Sequence, residues 1–477
     1  MIYKSEAEYH KATDYTRSSL GGGGMFRSRR PDPVKTYDNL QMLRLPDPAE
    51  LPDMPYSEVI LGKTEGPRGR LDFKTLSRML ACSHIVTASA STGRGKFYFR
   101  SVPSAGALYP TELYVSAMGL NGLEDGISHH QIIGWELAAL RSGDFSEEWA
   151  ELTGSSAPAL IFPITSVFAR SAWKYGNRAF RYCCLDAGHL AEALMLAATA
   201  EGLRAEVHVF EDAVAANELL CIDGEREGAL CAVSIKVDTE DGGQKEPCPA
   251  RDKLHDAGGS SGGTTPEILE AYRMSMGPGV SADARISSDD LGLDLIGTDK
   301  LPEKPAAVTE SFAETVHKRR SERRYADNLS KDETLSMLSM LRGVPDVACR
   351  LAVVCGGAEG LADGLHLIDL QGGLLAQAGS VDIRERLAEA CLGQGFVARG
   401  SLVFVMLSDL EALQERFGAG GYRRALIEAG RQSHRIYLAA TSLGLSACGI
   451  GAYFDHEVRD ILGLAESSRM LYLTVSG

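Results

Sequence analysis

No run of apolar residues in this chain approaches the ~18 that a membrane-crossing helix needs, and the opening MIYKSEAEYH has no signal-peptide core. A basic excess is also missing. Net charge is −15 at pH 7, which disfavours a nucleic-acid partner and favours solubility and repulsion from anionic surfaces. None of the ten cysteines forms a C-x-x-C, and no two pairs sit at zinc-site spacing. The eleven histidines supply no H-E-x-x-H or comparable ligand set, so no metal is expected. No strand–G-x-G-x-x-G–helix unit and no G-x-x-x-x-G-K-[ST] occurs, which leaves a Rossmann domain or a P-loop NTPase unsupported. Many cysteines lie inside apolar runs such as RLAVVCGG, where they read as buried, reduced thiols of a cytoplasmic protein.

What is present is an ordinary globular composition, 44% hydrophobic and 24% charged, over 477 residues, long enough for two domains with a core each. Gly, Ser, Pro and charge concentrate from residue 237 to about 305, a linker with one short helix, PEILEAYRMSM. The stretch SSLGGGGMFRSRRPDP marks an irregular N-terminal arm. Between and beyond these lies a repeat. KYGNRAFRYCCLDAGHLAEALMLAATAEGLRA from Lys174 aligns without a gap on RFGAGGYRRALIEAGRQSHRIYLAATSLGLSA from Arg416, at a constant offset of 242. Each copy reads as a long buried helix running into a G-L segment that suits a C-cap and then a strand.

Six apolar or β-branched runs are strand candidates: ELYVSAM, PALIFPITSV, ALCAVSIKV, RLAVVCG, SLVFVMLS and MLYLTV. LDFKTLSRMLACS and SKDETLSMLSMLRG open with Asp or Ser caps and read as helices. Helices and strands do not alternate regularly, so the expectation is α+β. The boundaries read as an arm over 1–55, a first domain over 56–237, a linker over 238–305 and a second domain over 306–477.

Three local clusters could carry chemistry. In His317-Lys-Arg-Arg-Ser-Glu-Arg-Arg324, two arginines and a serine can grip a phosphate, or the stretch is merely a solvated basic surface. Arg100-Ser-Val-Pro-Ser-Ala-Gly-Ala-Leu-Tyr-Pro110 has small residues that let backbone approach a flat ligand, or is an ordinary tight loop. Cys448-Gly-Ile-Gly-Ala-Tyr-Phe454 is a glycine-relieved stretch whose lone G-x-G is weak by itself.

Taken together, R-R-S-x-R, P-S-A-G-A-L-Y-P and a long E/D-A-G helix ending L-G-L-x-x-x-G-x-G resemble the FMN-dependent nitroreductase superfamily. More narrowly the chain is similar to the SagB-type dehydrogenases, with which the opening EYHKATDYT also agrees. The resemblance implies two tandem nitroreductase-like α/β/α domains forming an intramolecular pseudo-dimer, a monomer in other respects, with FMN between the halves. By motif position Arg319 and Ser321 would hold the phosphate with Arg320 nearby. Arg323 would reach the pyrimidine or ribityl, Pro103, Ser104, Ala105 and Gly106 would lie along the isoalloxazine, and Gly449, Ile450 and Gly451 would present an amide to N5. The first half has Leu61-Gly-Lys-Thr-Glu-Gly66 and Val207-His-Val-Phe210 where the second has its arginine and glycine motifs, while the second lacks the P-S-A-G loop. One composite site per chain is therefore expected. Lys174-Tyr175 resembles the catalytic Lys-Tyr pair of azoline oxidases, or is a surface lysine beside a packed tyrosine; since Arg416 and Phe417 replace the pair in the second copy, it would be a relic if it faces the empty site. The implied substrate is a peptide azoline or a small redox compound. The alternatives are an NAD(P)H-dependent nitro- or quinone reductase, and a non-catalytic FMN-binding protein.

Overall fold

The computed structural model describes residues 2–19, 30–48, 50–62, 71–92, 95–155, 159–236, 264–277, 284–301, 303, 305, 308–325 and 328–477. The chain divides into two compact units. A C-unit comprises Met1–Gly24, Pro55–Ile60 and Gly277–Gly477, and an N-unit comprises Met25–Met54 and Leu61–Met276. The segment read as an arm over 1–55 is thus shared between the two units.

The strands of the N-unit are β1 (Met42–Arg44), β2 (Val86–Thr92), β3 (Gly95–Arg100), β4 (Thr111–Ala117), β5 (Gly126–Gln131), β6 (Glu136–Ser142), β7 (Leu160–Val167), β8 (Arg204–Val209) and β9 (Glu227–Lys236). Those of the C-unit are β10 (Ile296–Lys300), β11 (Arg350–Cys355), β12 (Gly364–Asp369), β13 (Leu374–Gln377), β14 (Leu402–Asp409), β15 (Ala447–Ile450) and β16 (Ser468–Ser476). Each unit has one seven-stranded antiparallel sheet. The orders are β1-β6-β5-β4-β7-β9-β8 and β10-β13-β12-β11-β14-β16-β15, the same order strand for strand. A separate β2–β3 hairpin belongs to the N-unit alone among the described residues. All six strand candidates are strands, and the central ones are buried along their whole length, which explains their near-continuous apolar runs.

The repeated helices are Ala179–Ala200 and Gly421–Ser442, each 22 residues, beginning and ending at the same offset of 242. Each is preceded by a short helix and a break at Gly176 (φ 55°, ψ −140°) or Gly418 (φ 65°, ψ −155°), a conformation reserved for glycine. Each ends with a left-handed glycine, Gly202 or Gly444. Beyond it Leu203 N–H returns to Ala198 O and Leu445 N–H to Ala440 O, a Schellman close that turns the chain toward β8 or β15. The two helices read with caps are also found: Phe73–Ala81 with Asp72 accepting from Thr75 N–H, and Lys331–Ser339 with a Ser330/Glu333 capping box.

Within the span read as linker, Pro266–Met274 is helical as expected and packs on the N-unit's long helix, whereas β10 is a strand that was not anticipated. The N-terminal helix Glu6–Ala12 docks on the C-unit. His10 Nδ1 lies 2.8 Å from Tyr422 Oη, and Nε2 stands 3.7 Å from both Asp14 and Asp455. One helical stretch, Phe168–Ala200, is long and apolar enough to cross a membrane by length and composition alone, and 83% of its most apolar window is buried in the protein. Nine cysteines lie among the described residues, all buried thiols without a disulfide.

Candidate functional site

The arginine cluster of the C-unit is positioned by the helix Phe312–Lys318, started by a Ser311/Glu314 capping box. At Arg319 the backbone turns extended (φ −49°, ψ 124°), so the following residues leave the helix in a straight run. Arg319 is 4% exposed, with its guanidinium 5.5 Å over the Tyr437 ring. Arg320 instead folds back, donating Nη1–H to His317 O at 3.0 Å and Arg319 O at 2.7 Å, where it caps the helix C-terminus. Arg323 lies 4.5 Å over Phe396.

Tyr437, on the long helix, joins two of the sequence clusters. Its phenol oxygen accepts Gly449 N–H at 2.6 Å and lies 3.0 Å from Ser321 Oγ. Burial and the neighbouring Cys448 push its pKa to about 12 against the pull of Ser321 and Arg319, so it keeps its proton. That proton can go to Ser321 Oγ, which frees the serine hydroxyl hydrogen for a ligand. Glu322 N–H donates to Ala447 O at 2.9 Å, tying the arginine segment to β15. A Cβ at Gly449 would collide with the Tyr472 hydroxyl and ring, so a larger residue there requires that ring to move. Burial, with Arg319 and Arg435 beside it, lowers His434 to about 3, the response of a neutral imidazole to a cationic neighbourhood.

The small-residue loop belongs to the N-unit. Between Ser104 and Pro110 three residues are left-handed, Gly106 (φ 62°), Ala107 (φ 51°) and Tyr109 (φ 49°). Such a backbone needs external anchors. Asp186 on the long helix supplies two, accepting Ser104 Oγ–H at 2.6 Å and Ala105 N–H at 3.2 Å. Ser104 Oγ in turn accepts Tyr109 N–H at 2.9 Å, and Arg30 donates to Ala107 O at 2.9 Å. On the other side of the loop stand Lys174 and Tyr175. A Cβ placed on Gly106 would lie 2.7 Å from Tyr175 Oη and 2.9 Å from Lys174 Nζ. The pair therefore packs on the loop itself.

Counterparts in the opposite units differ. Val207 replaces Gly449 in β8, while Lys63–Arg70, the counterpart of the arginine cluster, lies outside the described residues. In the C-unit the place of the loop is taken by Pro345–Cys349. Three of its amides, at Val347, Ala348 and Cys349, are all donated to Glu428, which matches Asp186 in the repeat. Two anchors were not picked out from sequence. Tyr437 stands opposite Met195 at the repeat offset, a difference that could have marked it. Asp186 was visible only as a matched acid.

The sequence profile of the Nitroreductase family matches residues 70–235 and 316–477, one match per unit. The chain belongs to the nitroreductase family. A crystal structure from Anabaena variabilis assigned as a nitroreductase superposes with a TM-score of 0.78 at 25% identity, covering 100% of this chain and 99% of that one. Both repeats therefore have counterparts in a single chain there. A protein of Methanocaldococcus jannaschii, also assigned as a nitroreductase, is 34% identical over 90 residues, 19% of this chain. This chain spans 46% of the length of that curated relative. The chain thus carries two nitroreductase-family domains of the α+β class.

Proposed function

We propose that this nitroreductase-family chain is an FMN-dependent oxidoreductase of the SagB type with one composite flavin site, built from the arginine and glycine elements of the C-unit and the P-S-A-G loop of the N-unit. The observation that carries this reading is the division of motifs between two units of identical strand order. The C-unit has the Ser321–Tyr437–Gly449 linkage but spends its loop amides on Glu428. The N-unit has the open loop but Val207 in place of the glycine. A second complete site would lack one half of its parts.

The donor set suits a flavin phosphate. Arg319 and Ser321 offer a guanidinium and a hydroxyl, and Arg319 and Arg435 add positive charge beside His434, which burial keeps neutral in the first place. Arg320, committed to its own helix end, is left out of the phosphate set. Arg323, exposed at the end of the extended run, is the cation for the ring end, and Gly449 to Gly451 supply backbone toward N5. Bound FMN would contribute two-electron redox chemistry. Tyr175 Oη and Lys174 Nζ, converging on Gly106, are the atoms to take the proton released beside an azoline ring or a comparable carbon. The pair packs on the loop, which favours their serving the loop's site over their being relics.

The test is anaerobic reduction of the bound flavin, followed by its loss of yellow colour. Bleaching by a thiazoline-containing peptide, and its loss in Lys174→Ala, is the expected result. Bleaching by NAD(P)H alone would favour a nitro- or quinone reductase, and no bleaching by any donor would favour a binding protein.

A further inference from the structure

Asp186 is a fully buried carboxyl (3% exposed) beneath the half-exposed loop it anchors. The charged and titratable groups that couple to it are Arg100 on β3 and Cys183, three residues back on its own helix. Its repeat partner Glu428 is also raised by burial, but three backbone amides from a mostly buried loop, with Arg424 and Arg431, pull against that and pin the segment. Asp186 meets one amide and one hydroxyl, and a hydroxyl can accept as well as donate. A neutral Asp186 keeps all three pairings, with the Ser104 hydroxyl hydrogen released from the carboxyl. Oδ2–H donates to Ser104 Oγ across the same 2.6 Å, Ser104 Oγ still accepts Tyr109 N–H, and Oδ1 still accepts Ala105 N–H.

We propose that Asp186 is a protonation-operated latch and positioning residue: its neutral form locks residues 103–110 down, and its ionisation releases them. An ionised carboxylate under the loop is starved of water, and lifting the loop hydrates it. The three left-handed residues favour lifting in the same sense, since they relax once the anchors are lost. Burial pushes the Asp186 pKa to about 7, with Ser104, Ala105 and Arg100 pulling it back only in part. Once hydrated, the group returns toward the ordinary ~3.9. A carboxyl raised in the closed state favours closure fully below the hydrated value and loses that contribution as pH climbs to the closed value, here from about 4 to about 7. The loop carries Gly106 against Lys174 and Tyr175, so the latch sets where that surface stands.

The experiment is hydrogen–deuterium exchange of the full chain without added flavin, read on peptides covering 103–110 from pH 5 to pH 8 and corrected for intrinsic rates. Wild-type protection should fall about tenfold or more across the window, while peptides from β7 hold steady. Asp186→Asn, whose amide donates to Ser104 and accepts from Ala105 as the neutral acid does, should stay protected at every pH. Protection that is flat or rising with pH, or an Asp186→Asn chain that follows the wild type, would overturn the latch. Should that variant not fold, the wild-type series alone decides the sign. A consequence for FMN rests on the proposed site: affinity should weaken over the same window in wild type more than in Asp186→Asn, a comparison that cancels titration of the phosphate itself. Exchange as expected with identical FMN profiles in the two proteins would support the latch and remove the loop from the flavin site.

Discussion

Tyr437 links Ser321 to Gly449 through one phenol oxygen, so the phosphate-side and ring-side elements of the proposed site share a single buried residue. Arg319→Ala should lower FMN affinity by one to two decades, because charge-assisted phosphate contacts contribute about 1.5–3 kcal/mol each. Ser321→Ala should act in the same direction more mildly. Arg320→Ala should leave affinity within about threefold, its guanidinium being bound to helix carbonyls. Fluorescence titration of apoprotein with FMN measures all three, and equal losses at Arg319 and Arg320 would mean the phosphate pocket is misassigned. Arginine and serine stood out in the sequence as candidates because phosphate chemistry demands those types in close succession. Tyr437 was not, because a tyrosine on a long apolar helix looks like any core residue until its hydroxyl is seen between two loops.

At the scale of elements, what sequence displays well is burial. The six strands that read clearly are those covered on both faces. β5 did not read as a strand because its GISHHQ is polar, yet it is buried by side-chain pairing. His129 Nε2 meets Glu112 at 2.9 Å, and Arg170 with His129 holds that carboxyl well below its usual range against the opposing effect of burial. Such compensation depends on partners far along the chain and has no local signature. The glycine breaks are the reverse case, legible as matched glycines and explained by backbone angle. Gly176→Ala has open space around the new methyl. It should still destabilise the N-unit by about 1–3 kcal/mol, because its φ and ψ suit only glycine. A denaturant melt checks this, and a neutral result would show that the break can relax. Removal of residues 2–19 should lower the melting temperature of the C-unit, since it strips buried Tyr9 and His10 from Tyr422 and Tyr15 N–H from Asp455. An unchanged melt would make that helix an ornament.

At the scale of the whole molecule, duplication was readable from one gapless offset, and identical strand order bears it out. The sharing of N-terminal segments was not readable, since nothing local tells the helix Glu6–Ala12 which copy it will cover. The C-unit also takes in the short helix Tyr56–Ile60. Pro55, ahead of the degenerate segment of the first copy, bridges antiparallel to Ser311, ahead of the arginine cluster of the second, and Tyr56 stacks on Phe312 at 6.4 Å. A fused pair of copies can lose one site and keep the other, which a dimer of identical chains cannot do. The decisive measurement is flavin released by denaturation of the purified protein, set against chain concentration. One FMN per chain is the predicted result; two per chain would show that the copy carrying Val207 and the Lys63 segment still binds, and would contradict the composite site.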